Sequence, residues 1–296
     1  MPLIELTIPA READISSLKV RRLLPWRERR MVGPFTFLDH MGPAHFDSGG
    51  GIDVPPHPHI GLATMTYLFD GDILHRDTLG SRQHITPGDV NLMTAGRGIA
   101  HSERTGPETR RQPSSIHGIQ SWIALPKEYE EAPPAFLHIA SGDIPLVERP
   151  GVTLRVAAGE AYGVTSPVPA SSPLFYVNVD LDAGGTLELP DNYAERALYL
   201  VSGSLRVGGQ TIDAPLMPVF SPGKILLEAL TPAKLILLGG APLPEPRYMW
   251  WNFVSSSKDR IEQAKADWKA GSFGKIPEDD KEFVPLPEIP KPGNVL

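Results

Sequence analysis

The segments Tyr67–Ile73 (YLFDGDI) and Tyr199–Leu205 (YLVSGSL) decide the fold, because one pattern occurs twice in the same chain. Each segment is typical of a strand, a glycine turn and a second strand. A Pro-Gly step follows each copy, Pro87–Gly88 in the first half and Pro222–Gly223 in the second. A pattern that recurs with similar neighbours indicates an internal duplication. We therefore expect two copies of one β unit.

Around these segments, prolines and glycines divide the chain into short apolar runs. The 296 residues include 32 prolines and 28 glycines, with runs such as LATMTYLF and KLILLGG between them. Many short strands joined by turns are typical of a β-sandwich or barrel, and this length suits two domains. We predict an all-β protein with two β-sandwich or jelly-roll domains, residues 1–138 and residues 139–296.

One short helix is predicted near the C-terminus, in the stretch SSSKDRIEQAKADWKAG. Serine favours the N-cap of a helix, and glycine favours the position after its last turn. The residues that mark it are Ser256 or Ser257 as the cap, Ile261, Ala264 and Trp268 on one face, and Gly271 as the stop. The segment from Ile276 to Leu296 is rich in proline and acidic residues, which predicts an extended strap or a loosely ordered tail. We assign helix and tail to the second domain.

The composition excludes several classes of protein. The chain has no cysteine, which rules out disulfides, thiolate metal ligands and a cysteine nucleophile. A net charge of -7 argues against a nucleic-acid-binding protein. A basic stretch between Lys19 and Arg30 alternates with apolar residues, and we interpret it as the solvated face of a strand. Without a run of about 20 apolar residues or a signal-peptide pattern, we expect a cytoplasmic protein that does not contact membranes.

Two short motifs predict a metal site in the first half of the chain. His57-Pro-His59 and His101-Ser-Glu103 each place two possible ligands at positions i and i+2. On a strand these positions share one face, so both side chains of a pair can reach the same ion. Gly51 precedes the first pair by six residues, and Gly98 precedes the second by three. We favour one mononuclear metal site over the alternative that a proline-flanked histidine pair is polar surface.

The ligand set suits several metals. Three neutral imidazoles, from His57, His59 and His101, with the carboxylate of Glu103 can bind iron, manganese, nickel, copper or zinc. On an octahedral ion, four protein ligands leave two positions for substrate or dioxygen. None of the remaining histidines has a partner two residues away that could complete a ligand pair, and we interpret most as surface or structural residues; they are His40, His45, His75, His84, His117 and His138.

The second copy of the duplication lacks these ligands. Aligning Tyr67 with Tyr199 makes Leu189 and Asp191 the counterparts of the first pair, and aligning Pro87 with Pro222 makes Ile236 and Leu238 those of the second. The chain also contains no histidine after His138. We therefore predict a second domain that is filled with apolar side chains.

Long stretches of the chain resemble the pirin family of the cupin superfamily. They are LDHMGP at 38–43, HPHIG at 57–61, YLFDGDILHRDTLGS at 67–81, PGDVNLMTAGRGIAHSERT at 87–105 and WWNFVSSSKDRIEQAKADW at 250–268. The resemblance implies a bicupin, which has two β-sandwich barrels, with a metal ion in the N-terminal one. In pirins that metal is usually iron, so we expect Fe(II). The chain departs from the wider cupin pattern at Ala63, where most cupins carry a glutamate. Glu103 is then the carboxylate ligand that the resemblance implies.

The resemblance also implies an activity. Several pirins are quercetin 2,3-dioxygenases, which open the heterocyclic ring of flavonols and release carbon monoxide. We therefore expect a small aromatic, flavonol-like substrate and dioxygen, with Glu103 as ligand and general base. Other pirins are redox-sensitive regulators that bind a protein partner, and the motifs suit this alternative equally well. A cupin isomerase or sugar-binding protein is a third alternative, which ranks last because TAGRGIxHSE is specific to pirins.

Overall fold

The computed structural model describes residues 2–16 and 18–288. The strands of its first half are β1 Ile4–Pro9, β2 Arg11–Ile15, β3 Leu18–Leu24, β4 Phe35–Phe46, β5 Asp53–His59, β6 Leu62–Gly71, β7 Ile73–Asp77, β8 Arg82–Ile85, β9 Val90–Thr94, β10 Ile99–Arg104, β11 Ser114–Ala124 and β12 Ala135–Ile139, with a 3₁₀ turn at Thr109–Arg111. The second half contains β13 Leu146–Arg149, β14 Val152–Ala161, β15 Val164–Thr165, β16 Leu174–Leu181, β17 Thr186–Glu188, β18 Glu195–Ser202, β19 Ser204–Val207, β20 Gln210–Asp213, β21 Leu216–Phe220, β22 Leu226–Ala229, β23 Ala233–Gly240, β24 Tyr248–Trp250, β25 Phe253–Ser255 and helix α1 Lys258–Lys269. The predicted all-β class with one short α-helix is confirmed.

The described chain forms two compact units, each built from β-sheets. The N-terminal sandwich comprises Glu12–Arg27, Thr36–Ser141 and the chain from Pro244. Its sheets have the strand orders β12-β9-β6-β11-β4-β3-β2 and β5-β10-β7-β8, together with the hairpin β24-β25. The C-terminal sandwich comprises the chain up to Arg11, Glu28–Phe35 and Gly142–Leu243. Its sheets have the orders β1-β21-β18-β23-β16-β14-β13, with β15 beside β14, and β17-β22-β19-β20.

This division differs from the predicted one at both chain ends. Helix α1 was assigned to the second domain, but Ile261 and Ala264 pack with Ile60 and Phe253 in the N-terminal sandwich. Burial of these apolar side chains outweighs closeness in sequence. At the other end, β1 pairs antiparallel with β21 and so belongs to the C-terminal sandwich. The predicted boundary between residues 138 and 139 therefore lies close to the division in the middle of the chain but does not account for its two ends.

Helix α1 begins and ends where the sequence predicts. The Ser257 hydroxyl accepts a hydrogen bond from the backbone N–H of Arg260, which satisfies one of the unpaired donors of the first turn. Gly271 follows the helix with a φ of +73°, a conformation that glycine adopts at low cost. Among the described residues, no helix has the length and apolarity that crossing a membrane would require.

The two sandwiches repeat one strand arrangement. In the N-terminal sandwich β10 lies between β5 and β7, and in the C-terminal sandwich β22 lies between β17 and β19. Because both strands hold the middle position, β22 is the structural counterpart of β10, the strand that carries the predicted ligands His101 and Glu103. The alignment on Pro222 instead predicts Ile236 and Leu238 as the counterparts of His101 and Glu103, but these residues lie on β23.

That part of the alignment is wrong, because Pro87 precedes β9 whereas Pro222 follows β21, the strand equivalent to β9. Leu227 on β22 pairs with Val207 on β19, as Glu103 pairs with His75 in the first sandwich. Ile225, two residues before Leu227, occupies the place of His101. Both residues and Leu189 belong to a large apolar core in the C-terminal sandwich. The prediction of an apolar interior there is confirmed.

The chain after α1 runs along the N-terminal sandwich as an extended strap. The indole N–H of Trp268 donates to the backbone carbonyl of Val284 over 3.0 Å, and the backbone N–H of Val284 donates to the carbonyl of Pro56 over 2.8 Å. The guanidinium of Arg104 donates two hydrogen bonds to Asp279, at 2.7 and 2.9 Å. The predicted strap is present as far as residue 288, and residues 289–296 of the predicted tail lie outside the described residues.

Candidate metal centre

The predicted ligands lie on two neighbouring strands of one sheet. Strand β10 pairs with β5 on one side and with β7 on the other, and His101 is the partner of His57 and of Asp77 in the two registers. His59 lies two residues after His57, so its side chain leaves the same face of β5. The i, i+2 spacing of each motif and this antiparallel pairing bring three imidazoles together.

The three imidazoles converge on one point. One ring nitrogen of each of His57, His59 and His101 lies within 4.8 Å of the others. The Nε2 atoms of His59 and His101 are 3.1 Å apart. All three side chains are buried. These residues form a group that can hold a metal ion, as the sequence predicts.

Hydrogen bonds at the opposite ring nitrogens orient two of these imidazoles. Nδ1 of His57 donates to the carbonyl oxygen of Pro55 over 2.9 Å, which leaves the lone pair on Nε2. Nδ1 of His101 lies 3.3 Å from Nδ1 of His75. Nδ1 of His59 has no well-formed hydrogen bond. The nearby backbone carbonyl of Asn252 nevertheless opposes the lowering of the pKa of this ring. The lone pairs are thus available where the three rings meet.

Burial keeps the three rings uncharged. Loss of hydration lowers the pKa of His57 to about 4, and it lowers the pKa values of His59 and His101 well below the ordinary 6.5. The neighbouring imidazoles lower the pKa of His101 further. At neutral pH the rings are in the form that binds metals, because only an unprotonated nitrogen offers a lone pair.

The nitrogen spacing fits a metal ion. Imidazole nitrogens lie about 2.1 Å from a bound transition metal, so two ligands at right angles are about 3.0 Å apart. The separation of 3.1 Å between His59 and His101 agrees with this value. A donor set of imidazoles suits iron, copper, nickel and zinc, and geometry alone does not select among them.

Glu103 lies beside the three histidines but outside their group. Among the described residues, the ligand atoms that approach within 4.8 Å of one another belong to the histidines alone. The carboxylate oxygen Oε1 of Glu103 accepts a hydrogen bond from the side-chain amide of Gln120 over 3.2 Å. Burial raises the pKa of Glu103 to about 7, and the hydrogen bond from Gln120 opposes that rise. Its role as a fourth ligand stays a prediction.

His57, His59 and Glu103 line a cavity of about 330 Å³. Pockets for small organic ligands span about 300 to 1,000 Å³ and are lined mainly by apolar and aromatic side chains. Most of this wall has that character, with polar groups near the ligands. The wall includes Phe37, Val54, His57, His59, Glu103, Gln120, Trp122, Met249, Trp251 and Asn252.

A stacked aromatic pair forms part of the cavity wall. The rings of Phe37 and Trp122 are 4.0 Å apart at an angle of 14°. The guanidinium of Arg22 lies 4.6 Å from the centre of the Phe37 ring and forms two hydrogen bonds with Asp39, at 2.8 and 2.7 Å. Arg22 also lines the cavity. The interpretation of the basic stretch as a solvated face is therefore wrong for Arg22, which shares a strand face with the buried Val20.

The C-terminal part of the chain supplies another part of the wall. Trp251 lies in the turn between β24 and β25 with a φ of +52°, a conformation that is unusual for a bulky residue. Such backbone strain persists where the surrounding structure requires it, often at functional sites. Val284 and Pro287 of the strap also line the cavity. The sequence predicts this segment in the other domain, so its position in this wall is a finding of the structure.

His75 and Asp77 also lie beside the histidine group, although the sequence motifs do not predict them there. His75 was interpreted as a surface or structural histidine, yet it is buried and contacts His101. Its Nε2 lies 3.0 Å from a carboxylate oxygen of Asp77. The signal was present, because the two residues have the same i, i+2 spacing as the ligand pairs.

Comparisons with known proteins agree with this architecture. The family model described as Pirin matches residues 17–123, and the model described as Pirin C-terminal cupin domain matches residues 176–274. A pirin-like protein of Caulobacter vibrioides is 51% identical over 291 residues, which cover 97% of this chain and 100% of that protein.

Two further relatives carry the name of an activity. A Pseudomonas aeruginosa protein provisionally named quercetin 2,3-dioxygenase is 42% identical over 96% of this chain and 90% of its own length. The crystal structure of quercetin 2,3-dioxygenase from Acinetobacter baumannii matches with a TM-score of 0.90 and 37% identity, covering 97% of this chain and 96% of that one. With two cupin domains, a buried three-histidine group in the first and an apolar core in the second, this chain belongs to the pirin family.

Proposed function

We propose that this protein is a metal-dependent dioxygenase that opens the heterocyclic ring of flavonols such as quercetin. The observation that carries the proposal is a cavity lined by His57 and His59 of the three-histidine group and by stacked aromatic rings, because it joins a metal site to a place for a planar aromatic substrate. The names of the Pseudomonas and Acinetobacter relatives support the choice of reaction.

The proposed metal ligands are His57, His59, His101 and Glu103, with Fe(II) as the metal and Mn, Ni, Cu or Zn as substitutes. When bound, the ion would supply Lewis acidity and a route for electrons between substrate and dioxygen. The reaction inserts both atoms of dioxygen, breaks the two carbon–carbon bonds at C3 and releases that carbon as carbon monoxide. The other product is a depside, and the balance requires no external reductant.

Glu103 is the proposed general base. Its Oε1 is held by Gln120, and among the described residues its Oε2 makes no hydrogen bond. A positioned carboxylate can take the proton of a reacting hydroxyl group, and burial raises the pKa of Glu103 and so its affinity for a proton. Oε2 would accept the proton of the flavonol 3-hydroxyl group and make the ring electron-rich before it meets dioxygen.

The aromatic wall would orient the substrate. Flat rings pack against aromatic side chains, and the stacked Phe37 and Trp122 present such a surface beside His59, whose ring centre is 5.1 Å from that of Trp122. Arg22, which is paired with Asp39, lies above the Phe37 ring and holds it in place.

Oxygen uptake on a matched pair of substrates tests the proposal. Protein loaded with Fe(II) should consume quercetin and dioxygen and release carbon monoxide in equal amounts. A flavone with the same ring system but without the 3-hydroxyl group should not react. Consumption of quercetin without dioxygen, or without carbon monoxide, would contradict the proposal. Redox-dependent capture of a protein partner without turnover would instead favour a regulatory role.

A further inference from the structure

His75 occupies a fixed position behind one of the ligand histidines. It lies on β7, is 4% exposed, and pairs in register with Glu103 on β10. Its ring stacks on Phe136 at a centroid distance of 4.3 Å and an angle of 16°. Nδ1 of His75 lies 3.3 Å from Nδ1 of His101, and its Nε2 lies 3.0 Å from Oδ2 of Asp77. The three side chains therefore form a hydrogen-bonded chain.

The direction of this chain follows from Asp77. Its Oδ1 accepts hydrogen bonds from the backbone N–H groups of Leu79 and Ser81, at 2.9 and 3.0 Å, so the carboxylate is anchored on one side. A carboxylate only accepts hydrogen bonds, which makes Nε2–H of His75 the donor to Oδ2. With its proton on Nε2, the His75 ring offers a lone pair on Nδ1. That lone pair accepts the Nδ1–H of His101.

The last link of the chain determines the chemistry of His101. With a proton on Nδ1, its lone pair lies on Nε2, the atom that faces Nε2 of His59 at 3.1 Å. The opposite tautomer would point an N–H group at the metal position and could not act as a ligand there. Metal-binding histidines commonly donate their second N–H to such a partner, which fixes both tautomer and ring orientation.

We propose that Asp77 and His75 are positioning residues that hold His101 in the tautomer that binds metal. The inference rests on the metal site of the proposed function but not on the dioxygenase reaction. His57 is oriented differently, by the backbone carbonyl of Pro55, which no side-chain substitution removes. His101 is thus the ligand whose orientation depends on replaceable side chains.

The second sandwich agrees with this assignment. The structural counterpart of His75 there is Val207, which pairs with Leu227 as His75 pairs with Glu103. Val207 and Leu227 both belong to the apolar core. The sandwich without ligand histidines therefore also lacks the polar partner behind them.

Two substitutions test the chain, and a third serves as control. Asp77→Asn keeps the size of the side chain and an oxygen for the backbone donors, but its amide can donate to His75 and reverse the hydrogen-bond direction. His75→Phe removes both hydrogen bonds and keeps a ring to stack on Phe136. The control is Asp72→Asn, because Asp72 binds His84 at 2.7 Å on the same sheet without contacting a ligand histidine.

Co(II) affinity is measured by competition with a chromophoric chelator, and the tautomer of His101 by ¹⁵N shifts of the metal-free protein. We expect Asp77→Asn and His75→Phe to bind Co(II) about 10 to 100 times more weakly than the wild type and Asp72→Asn to match it. The His101 proton should move from Nδ1 to Nε2 in Asp77→Asn. Circular dichroism confirms that each variant is folded.

Different outcomes would overturn the positioning role of Asp77 and His75 and the metal site itself. Wild-type affinity in Asp77→Asn, or weaker binding with an unchanged His101 tautomer, would overturn the positioning role while leaving the metal site intact. A wild-type protein that does not bind Co(II) would overturn the metal site and this inference together.

Discussion

Nε2 of His59 and Nε2 of His101 lie 3.1 Å apart in a buried part of the N-terminal sandwich. This is about the distance that two imidazole nitrogens keep when they bind one transition metal at right angles. A metal ion can therefore bind both nitrogens without moving either strand. The fold thus organises the site before the ion binds.

Removing a ligand histidine should remove the metal. We expect His59→Ala and His101→Ala to lower the metal content of the purified protein from about one ion per chain to almost none, since each change deletes one of three imidazoles. Elemental analysis measures the content. His84→Ala, which changes a histidine outside the group, is the control and should retain the metal. Full metal content in His101→Ala would show that the ion binds elsewhere.

Glu103→Gln should separate proton transfer from metal binding. The amide cannot accept the proton of the substrate hydroxyl group, so we expect the turnover of quercetin to fall about 100-fold. Metal content should remain measurable, because the three imidazoles alone form the converging group. Turnover at the wild-type rate would exclude Glu103 as the base. Loss of the metal would instead show that its carboxylate is an essential ligand.

Acid should destabilise the fold through His40, a buried histidine that does not belong to the three-histidine group. Burial and the nearby His117 and Arg21 lower the pKa of His40 to about 3. Its unfolded pKa is near 6.5, so between these values the unfolded chain binds more protons and the free energy of unfolding falls as the pH falls. His40 should contribute a loss of about 2 kcal/mol between pH 7 and pH 5.

Urea unfolding of His40→Gln at several pH values measures this contribution. The variant should show a smaller decrease of the unfolding free energy on acidification than the wild type. His45→Gln changes an exposed histidine and should keep the wild-type pH dependence. An unchanged pH dependence in His40→Gln would refute the role of His40.

Trp122→Ala should weaken substrate binding more than catalysis. The change removes the ring that stacks on Phe37 and leaves the metal ligands in place. We expect the KM for quercetin to rise about 10-fold, which corresponds to about 1.4 kcal/mol, with a smaller change in kcat. Trp122→Phe keeps an aromatic surface and should recover most of the affinity. Equal KM values for Trp122→Ala and the wild type would remove the aromatic wall from the proposed binding site.

Arg104→Gln should loosen the strap. Arg104 forms hydrogen bonds with Asp279 and Glu282, and its loss leaves the largely buried Asp279 without this cation. Trypsin should then cleave after Lys275 or Lys281 at least about 10 times faster, since local opening becomes more frequent. Arg206→Gln, which breaks an exposed pair with Glu228, is the control. Cleavage at the wild-type rate would show that Arg104 does not hold the strap.

The three-histidine group could be predicted because its signal is local. His57 and His59 are two residues apart, and a strand places such residues on one face whatever surrounds it. The cap and stop of α1 are local for the same reason. His75 escaped prediction because its role depends on the pairing of β7 with β10, which joins residues 26 positions apart. Arg104 and Asp279 meet across 175 positions, beyond any local pattern.

By itself, the sequence determined the all-β class, the duplication, the helix and the residues that can bind a metal, because strand and helix periodicity are fixed by neighbouring residues. The tertiary structure alone decided that β22 is the counterpart of β10, and it alone placed the strap and Trp251 in the cavity wall. It also made Asp77 and His75 partners of His101. These relationships depend on which strands and loops become neighbours, and burial of apolar surface over the whole chain selects that arrangement.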